Sequence, residues 1–237
     1  MIDLSELWNF DDPEASERRF RAALAGTLGA DRAVLQTQVA RALGLQQRYG
    51  EALAVLDAIE STGPEVHVRL LLERGRVYRS SGDPSAAEPL FRAAVTAADT
   101  AGLDALAIDA MHMVALTLPN AEQVAYTRTI LDRARACADP AARGWVASLL
   151  NNLGMAHSEL GQWQLALGAF EEALIERRSG TDAVATDAAR WMVAWALRNL
   201  GRTDEAREQQ SALKADLAAA GRTDRYVDEE LALLADR

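Results

Sequence analysis

The sequence predicts an all-α fold, a solenoid of about twelve helices built from repeated helix–turn–helix units. Two observations support this prediction. Hydrophobic residues make up 49% of the 237-residue chain but aromatic residues only 5%, so the apolar material is aliphatic and rich in strong helix formers. In addition, one spacing of small and large apolar residues recurs at intervals of 35 to 40 residues along most of the chain. Together these observations favour stacked helices over a sheet.

The clearest copy of the recurring pattern is the stretch NNLGMAHSELGQWQLALGAFEEAL, residues 151–174. Its marked positions, at offsets 0, 3, 7, 12, 16 and 19, are Gly154, His157, Gly161, Ala166, Phe170 and Ala173. Four further copies begin, in the same register, at Ala40, Gly75, Ala115 and Ala194. Offsets of three and four place these residues on one face of a helix. The pattern therefore predicts that helix–helix contacts recur at regular intervals along the chain.

The two strongest copies, GRVYRSSGDPSAAEPLFRAAV and GMAHSELGQWQLALGAFEEAL, resemble the tetratricopeptide repeat. The later copies, one of which opens with NNLG, resemble the longer kinesin-light-chain type. The resemblance implies one right-handed superhelical solenoid over 1–237, in which the first helix of each repeat lines the concave side. The predicted parts are a capping helix at 13–28, repeats at 31–61, 64–101, 103–138, 140–179 and 181–220, and a closing helix at 223–236.

Glycine and proline mark the predicted helix packing and the predicted helix ends. Gly75 and Gly154 lie inside helices, where glycine costs about 1 kcal/mol relative to alanine, so we expect close helix–helix contact at both. Gly82 and Gly161 stand where the first helix of a repeat should stop. The predicted helix N-caps are Asp12, Asp83 and Asp139, each followed by proline, and also Thr181 and Thr203.

The charge balance argues against two classes of partner. The formal charge is −10, whereas nucleic-acid binding and adsorption to an anionic membrane both need a cationic face. The first twenty residues carry acids where a signal peptide needs bases, and no stretch is apolar enough to span a membrane. Cys137 is the only cysteine, so no internal disulfide can form. We therefore expect a cytoplasmic protein.

No catalytic or metal-binding motif stands out in the sequence. The chain lacks a phosphate-binding loop, a nucleophile elbow and any paired-histidine or paired-cysteine motif. His67, His112 and His157 are equally spaced, but against a repeat near 40 they fall in different registers. His157 replaces an aromatic of the repeat pattern, so a packed histidine is the favoured interpretation. We expect no enzymatic activity, no cofactor and no metal.

Arginine is concentrated on the outward face of the first helices. At twenty positions of that face the sequence has a single acid, Asp109, and five arginines: Arg41, Arg69, Arg76, Arg79 and Arg198. Such a face suits an acidic peptide, because each guanidinium can make paired bonds to a carboxylate. The alternative is that these arginines pair internally, with Glu73 and Asp109 for example. If the groove hypothesis holds, Arg76→Glu with Arg79→Glu should abolish binding without unfolding.

Amide and indole side chains extend the predicted peptide site. The resemblance implies that Asn151 and Asn152 can hold a bound peptide's backbone, although local helix bonds are an equally good interpretation. Trp191 and Trp195 are four residues apart and share a face. They are interpreted either as binding anchors for the peptide or as residues that pack against the final helix. The predicted function is therefore a non-enzymatic scaffold that binds a protein or peptide segment.

Two apolar regions leave further alternatives open. The opening segment, residues 1–10, contains Ile2, Leu4, Leu7, Trp8 and Phe10. We expect it to pack on the front of the array, with docking into a groove as the less favoured alternative. The second functional hypothesis is a self-assembling homodimer, formed through terminal helices or through exposed Trp145 and Trp163.

Overall fold

The computed structural model describes residues 4–60 and 63–235, and within these residues it contains helices and no strand. A 3-10 turn, Ser5–Leu7, precedes the first α-helix. The α-helices are α1 (Pro13–Ala23), α2 (Gly29–Leu45), α3 (Tyr49–Asp57), α4 (Pro64–Ser80), α5 (Pro84–Ala101), α6 (Asp104–Ala115), α7 (Asn120–Ala136), α8 (Pro140–Arg143), α9 (Val146–Glu159), α10 (Trp163–Arg178), α11 (Ala183–Asn199), α12 (Thr203–Ala219) and α13 (Arg225–Ala235). Twelve of these helices have nine or more residues, as predicted, and α8 is a single turn.

The helices form two compact units, Met1–Thr117 and Leu118–Arg237. In the first unit α2 packs on α3 and α4 on α5, while α1 covers α2 and α6 packs on α5. In the second unit α9 packs on α10 and α11 on α12, while α7 lies against α9 and α13 against α12. Each unit is thus a stack of helical hairpins joined by short loops. A single continuous solenoid over 1–237 stays a prediction.

The two glycines inside helices are explained by phenylalanine packing. A Cβ atom added to Gly75 would lie less than 3 Å from three ring carbons of Phe91, and one added to Gly154 would lie equally close to Phe170. Both rings are completely buried. Each glycine therefore exchanges about 1 kcal/mol of helix propensity for a large aromatic contact between the two helices of its repeat. The same arrangement in two repeats confirms the predicted packing position.

Left-handed residues end the first helices at the predicted offset. Gly82 follows α4 with φ +95°, Gly161 follows α9 with φ +70°, and Gly201 follows α11 with φ +77°. In the first repeat Gln47 has φ +61° at the same offset, although glycine is the residue that tolerates this conformation best. The turn is therefore imposed by the repeat geometry even where the sequence lacks glycine.

Aspartate caps the helices more often than the sequence indicates. The three predicted caps, at 12, 83 and 139, each accept a hydrogen bond from a backbone N–H in the first turn of their helix. The two predicted threonine caps are wrong. Asp182, and not Thr181, accepts from Ala185 N at the start of α11, while Thr203 is itself the first residue of α12. A carboxylate is the stronger cap because it also interacts with the helix dipole.

The third repeat follows a different register from the predicted one. Helix α6 ends at Ala115, which the pattern places inside the helix, and α7 begins at Asn120. Because the second helix of every other repeat begins nine residues after the first marked position, the equivalent residue is Met111. The prediction is wrong by four residues. Four residues are about one helical turn, so Asp109 and His112 keep the outward face assigned to them.

The described part of the opening segment packs against the first unit. In the opening segment Leu4, Leu7 and Trp8 contact the core of the first unit around the fully buried Phe20 of α1, whereas Phe10 is 59% exposed. Ile2 lies outside the described residues, as does the last residue of the predicted closing helix. Among the described helices, none has both the length and the hydrophobicity that a membrane span requires.

Candidate functional site: an arginine-lined cavity in the first unit

A surface cavity of about 190 Å³ lies between α2, α4 and α6. It is lined by Arg41, Gly44, Leu45, Glu73, Arg76, Val77, Arg79, Ser80, Met113 and Leu116. Gly44 on α2 leaves space in the cavity, because a Cβ atom at this position would lie 3.7 Å from Val77 Cγ2 on α4. Three of the nine residues predicted to bind a peptide, Arg41, Arg76 and Arg79, come together in this one cavity.

Arg76 is the structural centre of the cavity. Its guanidinium donates to Glu73 Oε1 and to Asp109 Oδ1, both at 2.5 Å, and all three side chains are largely buried. Burial opposes the charge of Arg76, but attraction to Asp109 and Glu73 outweighs it and raises the pKa of Arg76. Burial also opposes the charge of Asp109 and by itself would raise its pKa. The positive charges of Arg76 and Arg41 outweigh this effect and lower the pKa of Asp109 below its usual 3.8. Internal pairing, the alternative interpretation from the sequence, therefore holds for Arg76.

This network makes Arg76 unsuitable for a test of binding, contrary to the expectation from the sequence. The change Arg76→Glu would place a third acidic group beside Glu73 and Asp109, where little solvent can screen the repulsion. We therefore expect that variant to unfold, and only the exposed member of the predicted pair, Arg79, can be reversed without this cost.

Arg41 is held by aromatic rings in place of a carboxylate. Its guanidinium carbon lies 5.5 Å from the ring centroid of Trp8 and 5.6 Å from that of Phe10. These rings are parallel to each other at 4.6 Å, and Trp8 Nε1 donates to Gln38 Oε1. Burial, together with the positive charge of Arg76, lowers the pKa of Arg41 below its ordinary value. Among the described residues no carboxylate forms a salt bridge with Arg41, so this cation is available to an anion.

The cavity has a positive charge and an unsatisfied acceptor. Arg79 is exposed and forms no salt bridge with a described residue, so three guanidinium groups face the two carboxylates Glu73 and Asp109. The local excess of one positive charge contrasts with −10 for the whole chain. Glu73 is only 2% exposed, and no described donor reaches its Oε2. A buried acceptor without a donor costs about 1–3 kcal/mol, so this carboxylate oxygen makes an unfavourable contribution within the fold.

His112 occupies the position in α6 that Arg41 and Arg76 occupy in α2 and α4. Burial lowers the pKa of His112 to about 4, and the nearby arginines Arg76, Arg79 and Arg41 act in the same direction against the opposing charge of Asp109. The imidazole is therefore neutral near pH 7 and adds no charge to the cavity.

The other two arginines of the predicted set are paired within the fold. Arg69 Nε donates to Glu65 Oε1 at 2.9 Å on α4. In the second unit Arg198 forms a salt bridge with Glu230 of α13, and both side chains are largely buried. Internal pairing therefore holds for Arg69 and Arg198 as well, and neither contributes free charge to a site.

The predicted amide and indole residues lie in the second unit. Asn151 and Asn152 are half-buried on α9, and a role in holding a peptide backbone stays a prediction. Trp191 and Trp195 are half-buried on α11, where their rings stack with centroids 5.9 Å apart. Trp191 Nε1 donates to the backbone O of Tyr226 at the start of α13. Packing against the final helix, one of the two interpretations from the sequence, thus holds for Trp191.

Comparison with known families agrees with the repeat geometry. Two models of the tetratricopeptide repeat match residues 37–102 and 145–213, which together are more than half of the chain. The chain belongs to the tetratricopeptide repeat family. No match was found among curated protein sequences. The family assignment thus rests on these matches and on the glycine–phenylalanine packing of the two strongest repeats.

Several solved structures share this tetratricopeptide fold. TPR-like repeats of a Podosopora anserina kinesin light chain have a TM-score of 0.62 at 17% identity, over 81% of this chain and 98% of that one. BtubC from P. vanneervenii has a TM-score of 0.60 at 14% identity, over 94% of both chains. NprR in complex with its cognate peptide NprX has a TM-score of 0.61 at 15% identity, over 95% of this chain and 66% of that one. The predicted likeness to kinesin-light-chain repeats is confirmed.

Part of the arginine-lined cavity could not be recognised from the sequence. Trp8 and Phe10 were expected to pack on the front of the array or, less favoured, to dock into a groove, and their contact with Arg41 was not foreseen. Met113 and Leu116 complete the apolar wall of the cavity. One signal was present, an aromatic pair two residues apart in the apolar opening segment, but nothing in the sequence connects it with residue 41, more than thirty residues away.

The remaining predicted features have the following environments. His157 is 3% exposed, and its Nδ1 is hydrogen-bonded to Gln162 Oε1, which confirms a packed histidine. Trp163 is half-buried and packs its ring edge-to-face on Trp195, so the exposed tryptophan expected for a homodimer contact is not exposed. Trp145 is also half-buried. In the described part of the chain no three His, Cys, Asp or Glu side chains lie close enough to hold a metal ion.

Proposed function

We propose that this tetratricopeptide repeat protein is a non-catalytic interaction module that binds an acidic segment of a partner in the arginine-lined cavity. The observation that carries the proposal is the pair Arg41 and Arg79, two guanidinium groups without a carboxylate partner among the described residues, in a chain where acids outnumber bases by ten. An acidic protein keeps unpaired arginines together at a cost of mutual repulsion, which a carboxylate ligand relieves.

A carboxylate in the cavity has strong bonds available to it. Arg41 is held by Trp8 and Phe10, so its orientation is set before a ligand arrives and little conformational entropy is lost on binding. Charge-assisted hydrogen bonds from guanidinium to carboxylate are among the strongest that proteins make, and the half-buried position of Arg41 limits screening by solvent. Arg79 at the exposed rim adds attraction during approach.

The remaining walls favour a peptide over a simple anion. Leu45, Met113 and Leu116 provide apolar contact for a neighbouring side chain. The ligand that satisfies both the arginines and this apolar wall is an acidic residue beside an apolar residue in a polypeptide.

Peptide recognition also occurs within the same fold, since NprR is known in complex with its cognate peptide NprX. We also propose a cytoplasmic location, in keeping with the single cysteine of the sequence, which leaves no internal disulfide to form.

The test is selection from a library of random peptides, followed by fluorescence anisotropy with the selected sequences. Wild-type protein is expected to enrich peptides with Asp or Glu beside Leu, Ile, Val or Met. Binding should be lost in Arg79→Glu and in Arg41→Gln, and it should weaken as salt is raised because charge pairs at the rim are screened.

The matched control is Arg92→Glu, a reversal at an exposed arginine of α5 that pairs with Glu88 outside the cavity. It should bind as wild type does. Enrichment without acidic residues, or equal loss of affinity in Arg92→Glu and Arg79→Glu, would exclude the cavity as the site.

A further inference from the structure

A second cavity, of about 270 Å³, opens in the second unit between α11 and the start of α13. It is lined by Ala188, Trp191, Met192, Asp224 and Tyr226. Four of these five side chains are apolar or aromatic, and Asp224 is the one charged group in the lining. None of these residues takes part in the arginine-lined cavity, so this site is independent of the proposed function.

The tryptophan wall of this cavity is fixed in place. Trp191 Nε1 donates to Tyr226 O at 3.1 Å, so the polar atom of the indole is satisfied within the fold. One face of Trp191 stacks on Trp195, which in turn packs edge-to-face on Trp163 with centroids 4.9 Å apart. An aromatic wall held this way offers a ligand its π surface and no unsatisfied hydrogen-bond donor.

The second aromatic ring completes a corner. Tyr226 is 53% exposed, and its ring lies 6.4 Å from that of Trp191 at an interplanar angle of 67°. Both rings line the same cavity, and the electron-rich faces of aromatic rings attract a cation. The chain itself shows this attraction, because the Arg225 guanidinium lies 4.7 Å from the Tyr226 ring centroid.

Asp224 gives the corner a negative charge. Its Oδ1 accepts from Tyr226 N, and no described cation forms a salt bridge with it. The nearby cations are committed elsewhere: Arg190 pairs with Asp216 and Asp187, Arg222 with Asp187, and Lys214 with Asp228. Arg225 is near enough to interact with the charge of Asp224 but lies on the Tyr226 ring.

We propose that this corner is a binding site for a weakly hydrated organic cation, a quaternary or methylated ammonium group. Two aromatic faces and one carboxylate are the elements that recognise such a group. The apolar walls favour methyl groups over a bare ammonium, because a bare ammonium would lose its hydration and find only one acceptor. The chain's own Arg225 competes with the ligand for Tyr226.

The experiment is a titration of the full-length, ¹⁵N-labelled protein with tetramethylammonium chloride, followed at the Trp191 indole N–H resonance. Trp191→Phe identifies that resonance by its disappearance. A saturable shift is expected, with weak affinity, as befits so small a probe. Sodium chloride at equal ionic strength and neopentyl alcohol, a neutral molecule of similar shape, should produce no saturable shift.

Three substitutions separate the cation site from alternatives. Asp224→Asn keeps the capping bond to Tyr226 N but removes the charge, and it should weaken binding roughly two- to five-fold, the size of one partly exposed charge pair. Arg225→Gln removes the competitor and should strengthen binding. Asp228→Asn, a change on the same helix at a residue already paired with Lys214, should leave affinity unaltered.

Several results would overturn the proposal. They are the absence of a saturable shift, an equal response to neopentyl alcohol, which would show a purely apolar pocket, and equal weakening in Asp224→Asn and Asp228→Asn.

Discussion

The outward faces of α4 and α11 occupy equivalent positions in their repeats but have opposite chemistry. At one offset α4 carries Arg76 and α11 carries Trp195; four residues earlier, about one helical turn, they carry Leu72 and Trp191. In the first unit this face produces an arginine-lined cavity with an excess of positive charge, whereas in the second it produces an aromatic corner with a carboxylate. The repeat determines where side chains point, and residue identity determines what they bind.

A second pair of equivalent residues shows the limit of that rule. Arg79 and Arg198 are the same residue at the same offset, yet Arg79 is exposed without a salt bridge to a described residue, and Arg198 is largely buried against Glu230. The difference arises because α13 places Glu230 beside α11. Equivalent positions therefore acquire different environments when a neighbouring helix supplies a partner.

The largest expected effect is that of breaking a buried arginine network. Arg76→Gln leaves Glu73 and Asp109 buried without their ion-pair partner and should lower the free energy of unfolding by about 3–5 kcal/mol. Arg198→Gln should have an effect of the same order, because Glu230 is then left buried. Urea denaturation measures both. Arg79→Gln is the control and should stay within about 0.5 kcal/mol of wild type; similar losses in all three variants would mean that Arg79 is paired too.

The second prediction concerns the glycine–phenylalanine contact on which both regions rest. Gly154→Leu should force apart α9 and α10 at Phe170 and cost about 3 kcal/mol. Even Gly154→Ala should destabilise, although alanine is the better helix former, because its Cβ would meet the ring. The control is Gly168→Ala, inside α10 with nothing within 4 Å, which should stabilise by about 1 kcal/mol. Thermal melts showing the same sign for both alanine variants would contradict the packing described here.

The third prediction is a pH dependence in the first unit. His112 has a pKa of about 4 in the folded state and about 6.5 when unfolded, so as pH falls below 6.5 the unfolded state binds the proton first. Stability that is complete above pH 6.5 should therefore decline toward pH 4, by at most about 3 kcal/mol. His112→Gln should flatten the decline measured by urea denaturation at several pH values. The exposed His67→Gln should not, and an unchanged slope in His112→Gln would show that other groups cause it.

The smallest expected effect tests whether the opening segment contributes to peptide binding. Phe10→Ala removes one of the two rings that hold Arg41 and should weaken acidic-peptide binding roughly two- to five-fold, while lowering stability by less than about 1 kcal/mol. Phe10→Tyr keeps the ring and should bind as wild type. Fluorescence anisotropy distinguishes them; equal affinity in both variants would show that Arg41 needs only Trp8.

Local signals in the sequence were sufficient for most of the fold. Helix ends at Gly82 and Gly161 and the contact at Gly154 follow from residues within one repeat, and the structure confirms them. The third repeat was misplaced because alanine is abundant and Ala115 imitates the marked small residue that Met111 replaces. The assignment of Asp109 to the outward face stayed correct, because a shift of four residues is about one helical turn.

The candidate site was less accessible to sequence reasoning, since some of its ion pairs join residues distant in the chain. Arginines on one face could be free or paired; Glu73 lies on the same helix as Arg76, but the contacts of Arg76 with Asp109 and of Arg198 with Glu230 depend on the packing of α6 and α13. Arg41 remained available because its described neighbours are the rings of Trp8 and Phe10, and no described carboxylate forms a salt bridge with it.

By itself the sequence determined the all-α repeat architecture, the outward face of the first helix of each repeat and the surplus of arginine on that face. These features follow from periodicity and turn residues, which act over a few residues. The tertiary structure decided which of those arginines carry free charge, where Trp191 meets Tyr226, and which cavities exist. Those outcomes depend on helices that are distant in sequence, and a charge is free or neutralised according to what lies within a few ångströms of it in the folded chain.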